Sequence, residues 1–295
     1  MGGFSGPANA RTGITETWDG SSWTEVNDMN TARDSSGGLG IATTALVTGG
    51  RTPPAIVANV ELFNGTSFAE QNDLSAAREW NGATGTTSNG LVFGGDTPSA
   101  TNATEEWVGA GAAVGAWTTG GDLNSGRENT SGSGTEYSAL CVGGDVSNNT
   151  QSGVTESYNG SSWTEVNDLN TARAYIGTTG TNTSSLAYGG YSTTTSYFTS
   201  TESWNGSTWT EVNDLNEGRY YIGRAGVSNT SALAISGDNS PPPSPPTKSA
   251  NTESWNGSSW TEVNNVNEAR SVTASNGTTT SALIYEDPYQ DSVFA

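Results

Sequence analysis

Short runs rich in aromatic, β-branched and small apolar side chains alternate along this chain with Asn-Gly, Gly-Gly and Ser/Thr-rich breaks, the pattern of brief strands joined by tight turns. The pattern repeats. TETWDGSSWTEVNDMNTAR near the start returns as TESYNGSSWTEVNDLNTAR, TESWNGSTWTEVNDLNEGR and TESWNGSSWTEVNNVNEAR, with two diverged copies, VELFNGTSFAEQNDLSAAR and TEEWVGAGAAVGAWTTGGDLNSGR, between them. Anchored on arginine, the units end at Arg33, Arg78, Arg127, Arg173, Arg219 and Arg270, spaced by 45 to 51 residues. That is blade length for a propeller. The predicted units are 34–78, 79–127, 128–173, 174–219 and 220–270, with 271–295 and 1–33 sharing the sixth, in one domain spanning 1–295.

Each unit reads as four strands, a to d. Strands a and b follow the arginine as a Gly-rich and a small apolar run, for example YIGTTGT and SSLAYGG. Strands c and d flank an Asn-Gly or Asp-Gly pair such as Asp19-Gly20 or Asn159-Gly160, a strong hairpin signal. A two-residue turn there would oppose Trp18 to Ser21 and place Glu16, Trp18 and Trp23 on one face of the sheet. The matching aromatics are Phe63 with Phe68, Trp107 with Trp117, Tyr158 with Trp163, Trp204 with Trp209, and Trp255 with Trp260. Burying one such ring is worth about 4–6 kcal/mol before entropy is subtracted, so these pairs are expected to pack blade against blade.

The frame of the chain predicts how the ring shuts. The first complete strands, around Trp18 and Trp23, are c and d, whereas the last, ARSVTASNGT and TSALIYED, are a and b. The ring balances only if the two ends of the chain build one blade together, which removes exposed edges. The expected fold is therefore all-β: a six-bladed β-propeller of four-stranded blades, with the N-terminal c and d strands paired to the C-terminal a and b strands. Gly49-Gly50, Gly94-Gly95, Gly143-Gly144 and Gly189-Gly190 end strand b, and an aromatic on strand c is followed by Trp on strand d. This arrangement resembles the kelch repeat over nearly the whole chain. Ser236-Gly237 and Glu286-Asp287 depart from the Gly-Gly pair, and Gly2-Gly3 falls where a strand b would end.

Composition narrows the function. Thirty acids against ten basic residues give a formal net charge of −20, a field that repels phosphate backbones and anionic lipid, so neither nucleic acid nor membrane insertion is expected. There is no histidine and one cysteine, so the usual zinc, copper and nucleophile–base arrangements lack their residues; no metal, cofactor or catalytic residue is expected. Cys141, within TEYSALCVGG, reads as a small core residue. No apolar run reaches membrane-spanning length, and Met1 to Ala10 lacks the regions of a signal peptide.

Repetition separates scaffold from site. Glu16, Glu61, Glu105, Glu156, Glu202 and Glu253 accompany the six arginines, one per unit, and a charge needed in every blade is expected to tie strands together. Asp28, Asp73, Asp122, Asp168 and Asp214, with Asn265 in the sixth slot, are expected to cap the turn from d to a. The b-to-c loops differ in length and character and should share one face with the d-to-a turns. Candidate contacts there are Arg51, Tyr191, Tyr197, Phe198, Lys248 and the proline run from Pro241, together with Trp80, placed on strand a near the channel.

The near-identical units, rich in Thr, Ser, Asn and Gly and poor in Lys and His, resemble repeat proteins of marine, especially cyanobacterial, bacteriophages. The resemblance implies a non-catalytic component of a virion, a tail-fibre, capsid-surface or accessory adhesion protein. Its partners would be other virion proteins or host-surface carbohydrate or protein. The competing class is a glycan-active enzyme, sialidase-like or otherwise polysaccharide-degrading, because DGSSW and NGSSW faintly resemble an Asp-box turn.

Overall fold

The outer hairpins are built by their aromatic pairs. In every unit the last aromatic of strand c faces the first aromatic of strand d, as in Trp18 opposite Trp23, Trp107 opposite Trp117 and Trp255 opposite Trp260. In five of the six units the loop between them therefore holds four residues rather than two, the unit of Trp107 and Trp117 having a longer one, and Trp18 does not oppose Ser21. The expected face is unchanged, because Trp18 and Trp23 still lie on one side with Glu16. What shifts the turn is the first loop side chain: Asp19 accepts from the backbone N–H groups of Ser22 and Ser21, bonds that lower its carboxyl to a pKa of about 2. Asn64, Asn159, Asn205 and Asn256 accept in the same way.

The structure is a computed structural model that describes residues 13–109, 115–146, 150–239, 247–271 and 274–285. It is a six-bladed β-propeller of four-stranded antiparallel blades. Blade one comprises Gly37–Ile41, Thr44–Thr48, Val60–Phe63 and Phe68–Glu70, in order a to d from the axis outward. Strands a of the next four blades are Gly82–Gly85, Ser131–Thr135, Gly177–Thr181 and Gly223–Ser228. Blade six is composite: strands a and b, Ala274–Thr278 and Ser281–Tyr285, come from the C-terminal end, and strands c and d, Thr15–Trp18 and Trp23–Val26, from the N-terminal end. Thr17 pairs with Leu283 and Trp18 with Ala282 across this junction. Gly2-Gly3, Pro241 and Glu286-Asp287 lie outside the described residues.

Six apolar clusters fill the six gaps between blades. The seam between blades five and six joins Ile235 and Val266 to Trp18, Trp23 and Ile284, and the seam between blades six and one joins Leu283 and Tyr285 to Phe63 and Phe68. Nine of the ten tryptophans belong to these seams or pack against them. Cys141 is fully buried in one seam, and burial raises its thiol to a pKa of about 11.

The recurrent ions form a second tie inside the first. Arg78 pairs with Glu105 at 2.6 Å, Arg127 with Glu156 at 2.7 Å, Arg173 with Glu202 at 3.1 Å and Arg219 with Glu253 at 2.7 Å. Arg33 pairs with Glu61 and Arg270 with Glu16. Each arginine stands after strand d of one blade and reaches strand c of the next. Arg127 also donates to the carbonyls of Gly143 and Val154. The second carboxylate oxygen is occupied too: Glu156, Glu202, Glu253 and Glu16 accept from the backbone and side-chain amides of Asn124, Asn170, Asn216 and Asn267, each three residues before the arginine. Bonds to the second oxygen offset part of the cost of burying each charge.

Three of the five aspartates, and Asn265, bond to strand c. Asp122, Asp168 and Asp214 accept from the backbone N–H of Thr104, Thr155 and Thr201, the first residue of strand c in their own blade, and Asn265 does the same for Thr252. These bonds fasten strand c to the segment that follows strand d of the same blade.

Candidate functional site

The d-to-a segments and the Gly-Gly ends of strand b meet on one face. There the residue after five of the six arginines bridges to the residue after the Gly-Gly pair, or after Ser236-Gly237 in blade five: Asp34 with Arg51, Glu79 with Asp96, Glu128 with Asp145, Ala174 with Tyr191, and Tyr220 with Asp238. The next residue turns inward. Ser35, Trp80, Asn129, Tyr175 and Tyr221 all hold positive φ, between 52° and 61°. Such a backbone is strained for residues other than glycine and persists only when its surroundings impose it.

The imposing force is a hydrogen-bond chain around the channel mouth. Trp80 N–H donates to Ser35 O at 2.7 Å, Asn129 to Trp80 at 3.0 Å, Tyr175 to Asn129 at 3.1 Å and Tyr221 to Tyr175 at 3.2 Å. Four backbone bonds thus link blades one to five, and Trp80, Asn129, Tyr175 and Tyr221 line the mouth. Trp80 accordingly precedes strand a, which starts at Gly82, instead of lying on it. The left-handed turn ends the d-to-a segment before the ladder begins.

Two of these positions are tyrosines, and they gather more. Tyr175 and Tyr221 have ring centroids 4.4 Å apart, Tyr220 and Tyr221 5.2 Å, and Tyr191 and Tyr220 5.4 Å. Tyr175, Tyr191 and Tyr221 are half-buried, and Tyr220 is buried. Beside them lie acids. Asp145 accepts from Asn129 and Gln151, and Glu128 faces Asp96, Asp145 and Glu79. Burial, followed by the repulsion of these three carboxylates, raises Glu128 to a pKa of about 7.

The loop-face candidates are dispersed. Tyr191 and Tyr197 pair across a small hairpin, Tyr191–Ser192 with Ser196–Tyr197, and of the two Tyr191 packs its ring into the tyrosine group. Arg51 begins a similar hairpin in blade one, and Lys248 pairs with Asp238 on the extended strand of blade five. Phe198 is not an exposed contact. It is only 8% exposed, and the Arg173 guanidinium carbon sits 5.8 Å from its ring centroid, so it covers a scaffold arginine. Tyr175, Tyr220 and Tyr221 are not among the residues the sequence points to, although Tyr175 and Tyr221 stand two residues after an arginine, as Trp80 does.

Among the described residues no group of three or more Cys, Asp or Glu is placed to hold a metal ion, and no helix is long and apolar enough to cross a membrane. No protein-family model matches the chain, and no curated protein matches it in sequence.

Proposed function

We propose that this propeller is a non-catalytic binding or structural module of a virion, built from divergent kelch-like repeats, that contacts host-surface glycan or neighbouring virion proteins. The observation that supports this reading is the tyrosine group of Tyr175, Tyr191, Tyr220 and Tyr221 at the channel mouth. Each ring offers an apolar face and a hydroxyl at low entropic cost, which suits stacking on a sugar or on a protein side chain. The chain of inter-blade backbone bonds fixes Tyr175 and Tyr221 in place, which reduces the ordering free energy lost on binding.

The test is binding of the purified chain to host-envelope polysaccharide and to isolated virion proteins, with product release followed in parallel. Binding without turnover, weakened about tenfold or more by Tyr191→Ala or Tyr221→Ala at unchanged melting temperature, is the expected result. Release of soluble oligosaccharide would favour the glycan-active enzyme instead. Imaging of purified particles should locate the chain on the virion; finding it only with soluble partners would remove the viral part of the proposal.

A further inference from the structure

Below the mouth, the axial channel is lined by the six innermost strands, each contributing a glycine at positive φ: Gly40, Gly85, Gly134, Gly180, Gly226 and Gly277. Two residues before these glycines stand Gly38, Ala83, Gly132, Thr178, Arg224 and Ser275. Five blades therefore place a small residue at this level and one places an arginine. The scaffold arginines recur in every blade, whereas Arg224 breaks the repeat, so the ring's architecture does not require it.

Arg224 is the one charged residue lining the channel among the described residues, and none of the described carboxylates forms an ion pair with it. The cavity around it encloses about 130 Å³. Arg224 also borders the mouth above, so it stands where the two spaces meet. A guanidinium presents five N–H donors in a planar fork that matches the oxygens of an anion, and among the described residues no carboxylate receives them in an ion pair. Burial lowers the Arg224 pKa, yet an arginine keeps its proton, so the charge stays uncompensated.

We propose that the channel is a binding site for a small oxyanion of phosphate size, held by the Arg224 guanidinium. A chain of net charge −20 has little reason to collect anions elsewhere, which makes a specific response easy to distinguish.

The test is calorimetric titration of the intact protein with inorganic phosphate, and separately with acetate, against chloride at matched ionic strength. One saturable site for phosphate is expected, weakened about tenfold or more in Arg224→Ser, which copies the residue of blade six, and partly kept in Arg224→Lys. Equal binding by wild type and Arg224→Ser, or no saturable phosphate binding, would overturn the proposal. Should Arg224→Ser not fold, wild-type crystals soaked in selenate decide it. An anomalous selenium peak beside Arg224 supports the site, and its absence there contradicts it.

Discussion

The guanidinium of Arg270 and the carboxylate of Glu16, 254 residues apart in sequence, form a buried ion pair between blade five and the blade that both ends of the chain build. Each of the other five pairs joins residues of one continuous stretch of units. This one also ties the C-terminal side of the ring to the N-terminal strand it must recruit. Removing one partner strands a charge in a space without water. Glu16→Ala should therefore destabilise by about 3–5 kcal/mol in denaturant unfolding, while Glu16→Leu combined with Arg270→Met should cost clearly less than the two single changes together. Additive losses would mean that the pair is not coupled.

Strand b needs two successive left-handed residues where it leaves the sheet. Gly94 and Gly95 hold φ of 64° and 100°, and a Cβ on Gly94 would lie 2.5 Å from the carbonyl oxygen of Arg127. Gly94→Ala should cost about 1–3 kcal/mol or more through both strain and overlap, read as a lower melting temperature. Blade five shows the one way round it: Ser236 keeps φ at 57° and its hydroxyl bonds the carbonyls of Ser249 and Arg270.

Glu128 makes stability depend on pH in a defined direction. Its carboxyl titrates near 4.5 when unfolded and about 7 in the fold, so between these values the folded chain holds a proton that the unfolded chain has released. That contribution is complete below the lower value and is lost as pH rises through the upper one. The melting temperature should fall between about pH 5 and about pH 8, and the fall should be shallower in Glu128→Gln. Identical slopes would remove Glu128 as the cause.

Cys141 offers a cheap probe of seam integrity. Its thiol, fully buried with a pKa raised to about 11, should resist iodoacetamide in the native protein and react once the chain is unfolded. Modification at the unfolded rate under native conditions would show that the seam opens.

The fold was legible because the repeat carries it. Glu, Trp and Arg at fixed offsets mark strands, seams and ties, and the frame of the first and last strands announces the closure. The hairpin loop was misjudged by two residues, because an Asn or Asp that bonds its own backbone competes with the turn that Asn-Gly favours. The site was less legible. Loop variability drew attention to Phe198, whose burial under the loop depends on where the Arg173 guanidinium ends, and away from Tyr175 and Tyr221, whose inward turn exists only once neighbouring blades bond. Arg224 stands out only when the six innermost strands are aligned on their glycines.

Everything positional in this account follows from the composite blade, and backbone NMR of the uniformly labelled protein tests it without any substitution. Cross-strand contacts between Thr17 and Leu283 and between Trp18 and Ala282, with slowly exchanging amides on both strands, are predicted. Rapidly exchanging amides at residues 15–18 and 282–285, with no contact between them, would contradict a ring closed by its two ends.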